Sequence, residues 1–147
     1  MIEPLRLSFE VRCSAERAFE VWTRETTMWW PDDHTALGEP GSEVVFEPGA
    51  GGGVYEVTAG GQRIDWGQVL VWDPPRRLAY LWHLRADRAD ATEVHIEFLP
   101  LDAATSRVEI EHRGWEHLGA GGPERRDANR RGWAGLTPFF VAACNAA

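Results

Sequence analysis

Lysine is absent from this chain, and all 15 of its basic residues are arginine. That excludes mechanisms needing an ε-amino group of the chain itself, such as Schiff-base formation or the phosphate grip of a P-loop. Basic charge as a whole is scarce. The 23 Asp and Glu leave a formal net charge of −8, which argues against a nucleic-acid partner. Cysteine is scarce too: Cys13 and Cys144 are too few for a disulfide scaffold, and a reduced, cytoplasmic protein is the simplest reading. No apolar run approaches the roughly 20 residues that span a bilayer, so no membrane insertion is expected. The opening Met1-Ile-Glu-Pro-Leu-Arg is not a signal peptide and reads directly into a strand. No internal repeat or linker divides the chain, so a single domain over 1–147 is expected.

Catalytic and cofactor motifs are equally thin. Gly-x-Ser-x-Gly and His-Glu-x-x-His do not occur. Gly49 to Gly53 lacks the spacing of a dinucleotide fingerprint and precedes a strand rather than a helix. His83, Glu93, His95 and Glu111 fall together on one outward strand face, and Asp32-Asp33-His34 forms a similar group in a loop. Both read more simply as solvated charge than as metal ligands, and no cofactor or metal is assigned.

What the chain does hold is aromatic surface. Eight Trp stand in 147 residues, within an apolar fraction of 44%. Leu5 to Arg12 alternates Leu5, Leu7, Phe9 and Val11 against polar residues, the pattern of a strand with one buried face. Ser14 is a good helix N-cap, followed by a short helix from Ala15 to Trp22 and a second over Arg24 to Trp29. Strands are then expected at Glu43 to Glu47, Val54 to Thr58, Arg63 to Trp72, Ala79 to Leu84, Thr92 to Leu99 and Arg107 to Arg113. Pro74-Pro75 forces the turn between the third and fourth of these, because proline fixes φ and cannot donate to a ladder. From Pro123 to Ala146 the spacing predicts a long helix with one stripe: Trp133, Leu136, Thr137, Phe140, Val141 and Cys144. Pro138 should kink it. The fold class is therefore α+β: a curved antiparallel sheet, two short helices, and a long C-terminal helix that needs a sheet face to lie in.

Period-two alternation puts Leu78, Tyr80 and Trp82 on one face, and His112 on the face of Val108 and Ile110. A histidine on an apolar face is most often a core residue with satisfied hydrogen bonds; the functional reading is a polar anchor in an apolar pocket. Trp30, Trp66, Trp115 and Trp133 are candidates to line the mouth of a cavity, with Phe140 beneath them on the helix stripe. Trp115 lies in the glycine-rich stretch Gly114 to Gly122, a loop able to gate such a cavity. The alternative is that these rings only fill the core.

Several motifs are familiar as a set. Ser14-Ala-Glu-Arg-Ala-Phe-Glu-Val-Trp22, Trp29-Trp30, Phe46-Glu-Pro-Gly, Gly67-x-Val-Leu-x-x-Asp-Pro-Pro-Arg-Arg-Leu78, the Trp82 strand, His112-x-Gly-Trp115 and Gly132-Trp133 follow one another in order. Together they resemble the START-like, or SRPBCC, proteins, in the branch of the C-terminal domain of the activator of the heat-shock-protein-90 ATPase. The resemblance covers essentially the whole chain. It implies a helix-grip fold, a curved sheet wrapped around the C-terminal helix with a cavity between them. The fold hosts lipid binders, hormone receptors, cyclases and resistance proteins, so it constrains function weakly. The expected function is binding of a hydrophobic, aromatic or polycyclic small molecule, as in bacterial stress or resistance proteins, without catalysis. The alternatives are a polyketide cyclase, aromatase or hydrolase using His112 as acid or base, and a chaperone-associated interaction module. The oligomeric state, a homodimer included, stays open.

Overall fold

A computed structural model describes residues 2–146. In chain order it contains β1 (Leu5–Val11), α1 (Ala15–Thr23), α2 (Thr26–Trp29), β2 (Glu43–Phe46), β3 (Gly53–Val57), β4 (Arg63–Asp73), β5 (Arg77–Trp82), β6 (Thr92–Pro100), β7 (Ser106–Arg113) and α3 (Gly122–Asn145). The strands form one seven-stranded sheet in the order β1-β7-β6-β5-β4-β3-β2, antiparallel at every pair. From β2 to β7 each strand pairs with the next in sequence, as tight turns between alternating runs dictate. β1 pairs antiparallel with β7, so the first and last strands sit side by side and the chain leaves toward α1 and α3 from opposite ends of that pair. This is the helix-grip fold, a curved sheet closed on one face by the long helix.

Local chemistry accounts for the elements. Ser14 has extended backbone and its hydroxyl accepts the Arg17 N–H at 3.1 Å, while Glu16 stands in the positive first turn of α1. The second helix starts at Thr26, two residues later than the sequence spacing suggests, because Glu25 leaves helical geometry at φ −111°. β5 also differs from expectation. The turn after Asp73 uses only Pro74, Pro75 and Arg76, so Arg77 already pairs with Asp73 and the strand begins two residues earlier. It ends at Trp82: the His83 N–H still reaches the Trp66 carbonyl on β4, but the His83 carbonyl accepts the Ala86 N–H in a turn that leads the chain away. The stretch expected as a glycine-rich loop is wound into 3-10 turns over Trp115–Gly121, entered through Gly114 at φ +96°. α3 is continuous through Pro138. Its stripe is as the spacing predicts: Trp133, Leu136, Phe140 and Cys144 are buried, while Thr137 and Val141 are half-buried. No helix among the described residues is long and apolar enough to cross a membrane.

Gly67 shows how tightly β4 and β5 approach. It pairs with Trp82, and a Cβ placed on it would stand 1.8 Å from the Leu81 carbonyl oxygen. Backbone cannot move aside as a flexible side chain can. We expect Gly67→Ala to lower stability in urea denaturation by about 3 kcal/mol or more, the upper range for overpacking. A loss below about 1 kcal/mol would mean that the two strands separate easily at this point.

Candidate functional site

The inward residues of the sheet and the stripe of α3 meet in one interior. β5 contributes Tyr80 and Trp82, β4 Trp66, β7 His112, α3 Trp133 and Phe140, and the end of α2 Trp30. Trp30 lies 5.2 Å from Trp66 and 5.9 Å from Trp82, ring centroid to centroid. Trp82 is 5.6 Å from Trp66 and 5.8 Å from Tyr80. Trp29 links Trp30 to Phe140, and Trp22 links Phe140 to Trp133. At the far end His112 stands 4.3 Å from Trp115 and 6.0 Å from Trp133. All eight residues singled out from the sequence thus join one aromatic belt, completed by Trp22 and Trp29. Most pairs are edge-on or tilted, the arrangement ring quadrupoles favour. The sequence leaves Trp30, Trp66, Trp115 and Trp133 open between a cavity mouth and the core. They lie inside, none more than 7% exposed, whereas Trp82 is half-buried. The rings fill the space between sheet and helix. Residue counts gave no sign of this, because mouth and core positions demand the same side chains.

His112 is fully buried and both its ring nitrogens are occupied. The Trp133 indole N–H donates to Nδ1 at 3.0 Å. Indole nitrogen can only donate, so Nδ1 carries no proton and the ring is the Nε2–H tautomer. Nε2–H therefore donates to the Thr92 hydroxyl at 2.7 Å, which in turn donates to the Trp82 carbonyl at 3.4 Å. Trp115 adds a bond from its own N–H to the His112 carbonyl at 3.0 Å. Burial pushes the imidazole pKa down from 6.5 to about 3, which keeps the ring neutral. This is the geometry of a core histidine that ties helix to sheet. A ligand reaching it must displace Trp133 or Thr92.

Other buried polar groups lack partners. Glu56 is completely buried on β3. Its Oε1 accepts the Trp66 indole N–H at 2.8 Å and the Ala36 backbone N–H at 2.6 Å, but Oε2 has no partner in the protein. The Tyr80 hydroxyl and the Trp22 indole N–H lie beside one another in the interior, and neither completes a hydrogen bond. Desolvation raises the Tyr80 pKa, only partly opposed by Trp22, so the phenol stays protonated and able to donate. Glu56, Trp22 and Thr92 were not singled out from sequence. Alternation with buried Val54 and Thr58 was the available signal for Glu56.

The sequence profile of the family described as Activator of Hsp90 ATPase homolog 1-like protein matches residues 12–136. The chain belongs to this family. An anthrahydroquino-gamma-pyrone synthase of known structure is 35% identical, with 84% of each chain covered and a TM-score of 0.62. CalC from Micromonospora echinospora, a self-sacrificing resistance protein, is 23% identical, with 98% of this chain and 95% of that one covered and a TM-score of 0.75. An Hsp90 activator from Plasmodium falciparum is 17% identical over 92% of this chain and 90% of its own, with a TM-score of 0.63. The last two likenesses concern the fold alone. No curated protein sequence matches the chain.

In this member of the Hsp90-activator-like family, open clefts lie away from the aromatic belt. One of about 690 Å³ runs between β1 and α3, beside Phe9, Pro138 and Val141. Another of about 560 Å³ lies against Arg6, Arg77, His95, Glu97 and Arg113. Among the described residues no group of three or more His, Cys, Asp or Glu side chains is placed to hold a metal. Glu93 pairs with His95 at 3.0 Å and with Arg113 at 3.7 Å, whereas His83 is buried beyond the end of β5.

The lowered pKa of His112 has a consequence for stability. Between about 6.5 and about 3 the unfolded imidazole binds a proton that the folded one does not, so acid favours unfolding. The contribution of the neutral ring is complete above the unfolded pKa and falls by about 1.4 kcal/mol per pH unit as the pH drops through the window. We expect His112→Gln to be less stable than the parent at pH 7 and to lose this share of the slope in urea denaturation between pH 7 and 4. Parallel pH dependences in the two proteins would mean that His112 titrates normally.

Proposed function

We propose that this protein binds a planar aromatic or polycyclic small molecule in the interior between the sheet and α3. The observation that carries this reading is the aromatic belt with unpartnered polar atoms at Glu56, Tyr80 and Trp22. Rings offer apolar area and quadrupole contacts to a flat ligand, while a few convergent polar groups fix its orientation. The 35% identity with an anthrahydroquino-gamma-pyrone synthase supports the same ligand class. On this reading Trp30, Trp66, Tyr80, Trp82 and Phe140 contact the ligand, whereas Trp115, Trp133 and His112 hold the helix that closes over it.

The same identity favours a second reading, in which the ligand is changed chemically, as in a ring-closing enzyme. The two differ in whether the small molecule leaves with a new mass or a new ring. Binding without change is preferred because His112, the acid or base that the enzymatic reading needs, is committed at both nitrogens.

Planar apolar compounds should quench the intrinsic tryptophan fluorescence saturably. Trp82→Ala should weaken binding about 3- to 10-fold, the loss of one aromatic contact. Undiminished binding by a variant lacking both Trp82 and Tyr80 would put the ligand elsewhere. Conversion of a bound compound to product by the parent protein, followed by mass spectrometry, would establish the enzymatic reading instead.

A further inference from the structure

Glu56 holds more hydrogen-bonding capacity than the fold uses. One carboxylate oxygen suffices to receive both Trp66 and Ala36, and Oε1 does so at 2.8 and 2.6 Å. The second oxygen is buried, faces no donor of the protein, and lies on the inner face of β3. Its neighbour Trp66 belongs to the aromatic belt. Burying a carboxylate oxygen without a donor is costly, so such an atom calls for an explanation beyond packing. A Gln at this position would serve Trp66 and Ala36 equally well. What Glu alone supplies is a second acceptor.

We infer that Glu56 determines ligand specificity: its free oxygen accepts a hydrogen bond from a hydroxyl group on the ring system bound in the belt. The Tyr80 hydroxyl and the Trp22 N–H form a second polar point, able to donate to a carbonyl. An acceptor at one point and donors at the other select a hydroxylated aromatic ketone or quinone over a plain hydrocarbon or a fully alkylated ether. This rests on the reading of the aromatic interior as the ligand site and adds to it the polar chemistry of the ligand.

Three probes separate the possibilities: anthraquinone, 2-hydroxyanthraquinone and 2-methoxyanthraquinone, titrated by tryptophan fluorescence. The parent protein should favour the hydroxy compound over the methoxy compound about tenfold or more, because a methyl ether leaves the buried acceptor unmet. Glu56→Gln places an amide donor where Oε2 stood and should reduce that preference to about threefold or less. Circular dichroism and urea denaturation check that the variant folds. Tyr80→Phe, which keeps shape and removes only a hydroxyl, should weaken all three quinones and leave the hydroxyl preference intact. It keeps the test decisive should Glu56→Gln unfold, since hydroxyl preference lost in Tyr80→Phe would assign the reading to Tyr80 and overturn the role of Glu56. Equal hydroxyl preference in the parent and Glu56→Gln, or none in the parent while anthraquinone binds, overturns the inference and leaves the ligand site standing. Absence of saturable binding by all three compounds overturns both.

Discussion

The N–H of Trp133 on α3 donates to the imidazole of His112 on β7, and the inner architecture depends on that bond. Because indole cannot accept, the bond fixes the tautomer of His112, which fixes the direction of its bond to Thr92 on β6. Thr92 in turn donates to the Trp82 carbonyl on β5. One polar path thus runs from the helix across three adjacent strands inside an apolar interior, where each bond is stronger than in water and each loss more costly. Trp115 pins the segment before α3 to the same histidine. The roll and depth of the helix are then set. Phe140, two turns beyond Trp133 on the same face, enters the belt between Trp22 and Trp29.

Much of this follows from period alone. Alternation in β7 puts Val108, Ile110 and His112 on one face, alternation in β5 does the same for Leu78, Tyr80 and Trp82, and the 3.6-residue period marks the buried side of α3. Faces are local properties, legible from neighbours two or four residues away. Partners are not. Trp133 lies 21 residues from His112 and Ala36 lies 20 from Glu56, so only the assembled fold reveals which polar groups are satisfied. Glu56 escaped notice for a further reason: a charged residue is ordinarily assigned to the outer face, and here the alternation overrules the charge. The length of the Pro74–Pro75 turn was obscure as well, because prolines end one ladder without saying where the next begins.

The two ends of the belt are built differently. Around His112 the side chains of Trp115, Trp133 and Thr92 are buried and each is hydrogen-bonded to it. Around Trp82 the ring is half-buried, and residues 33–36 are held from outside by Arg85, whose guanidinium donates to the carbonyls of Asp33 and Thr35. Arg85 does this from φ +61°, a left-handed conformation that crowds the Cβ of any residue but glycine and adds local strain. From inside, the same segment is held by the Ala36 N–H on Glu56, and the Trp30 N–H reaches the His34 carbonyl. Local opening costs least where contacts are part-exposed and strained, which puts the weaker end at Trp82 rather than at His112.

This asymmetry bears on what the interior selects. Opening the Trp82 end breaks ring contacts among Trp30, Trp66, Trp82 and Tyr80, each pair worth about 0.5–1.5 kcal/mol beyond simple burial. A ligand that enters must restore those terms. A flat aromatic body does so ring for ring and loses little internal freedom on binding. A flexible acyl chain buries comparable area but carries no quadrupole and gives up rotamer freedom in the process. A small polar solute restores neither. On the proposed reading, a filled interior of this kind would act as a selector by exchange, with rings displaced only by rings. Under that constraint the sparse polar atoms matter more, because ring stacking alone distinguishes one flat molecule from another poorly, and an unmet buried carboxylate distinguishes them well.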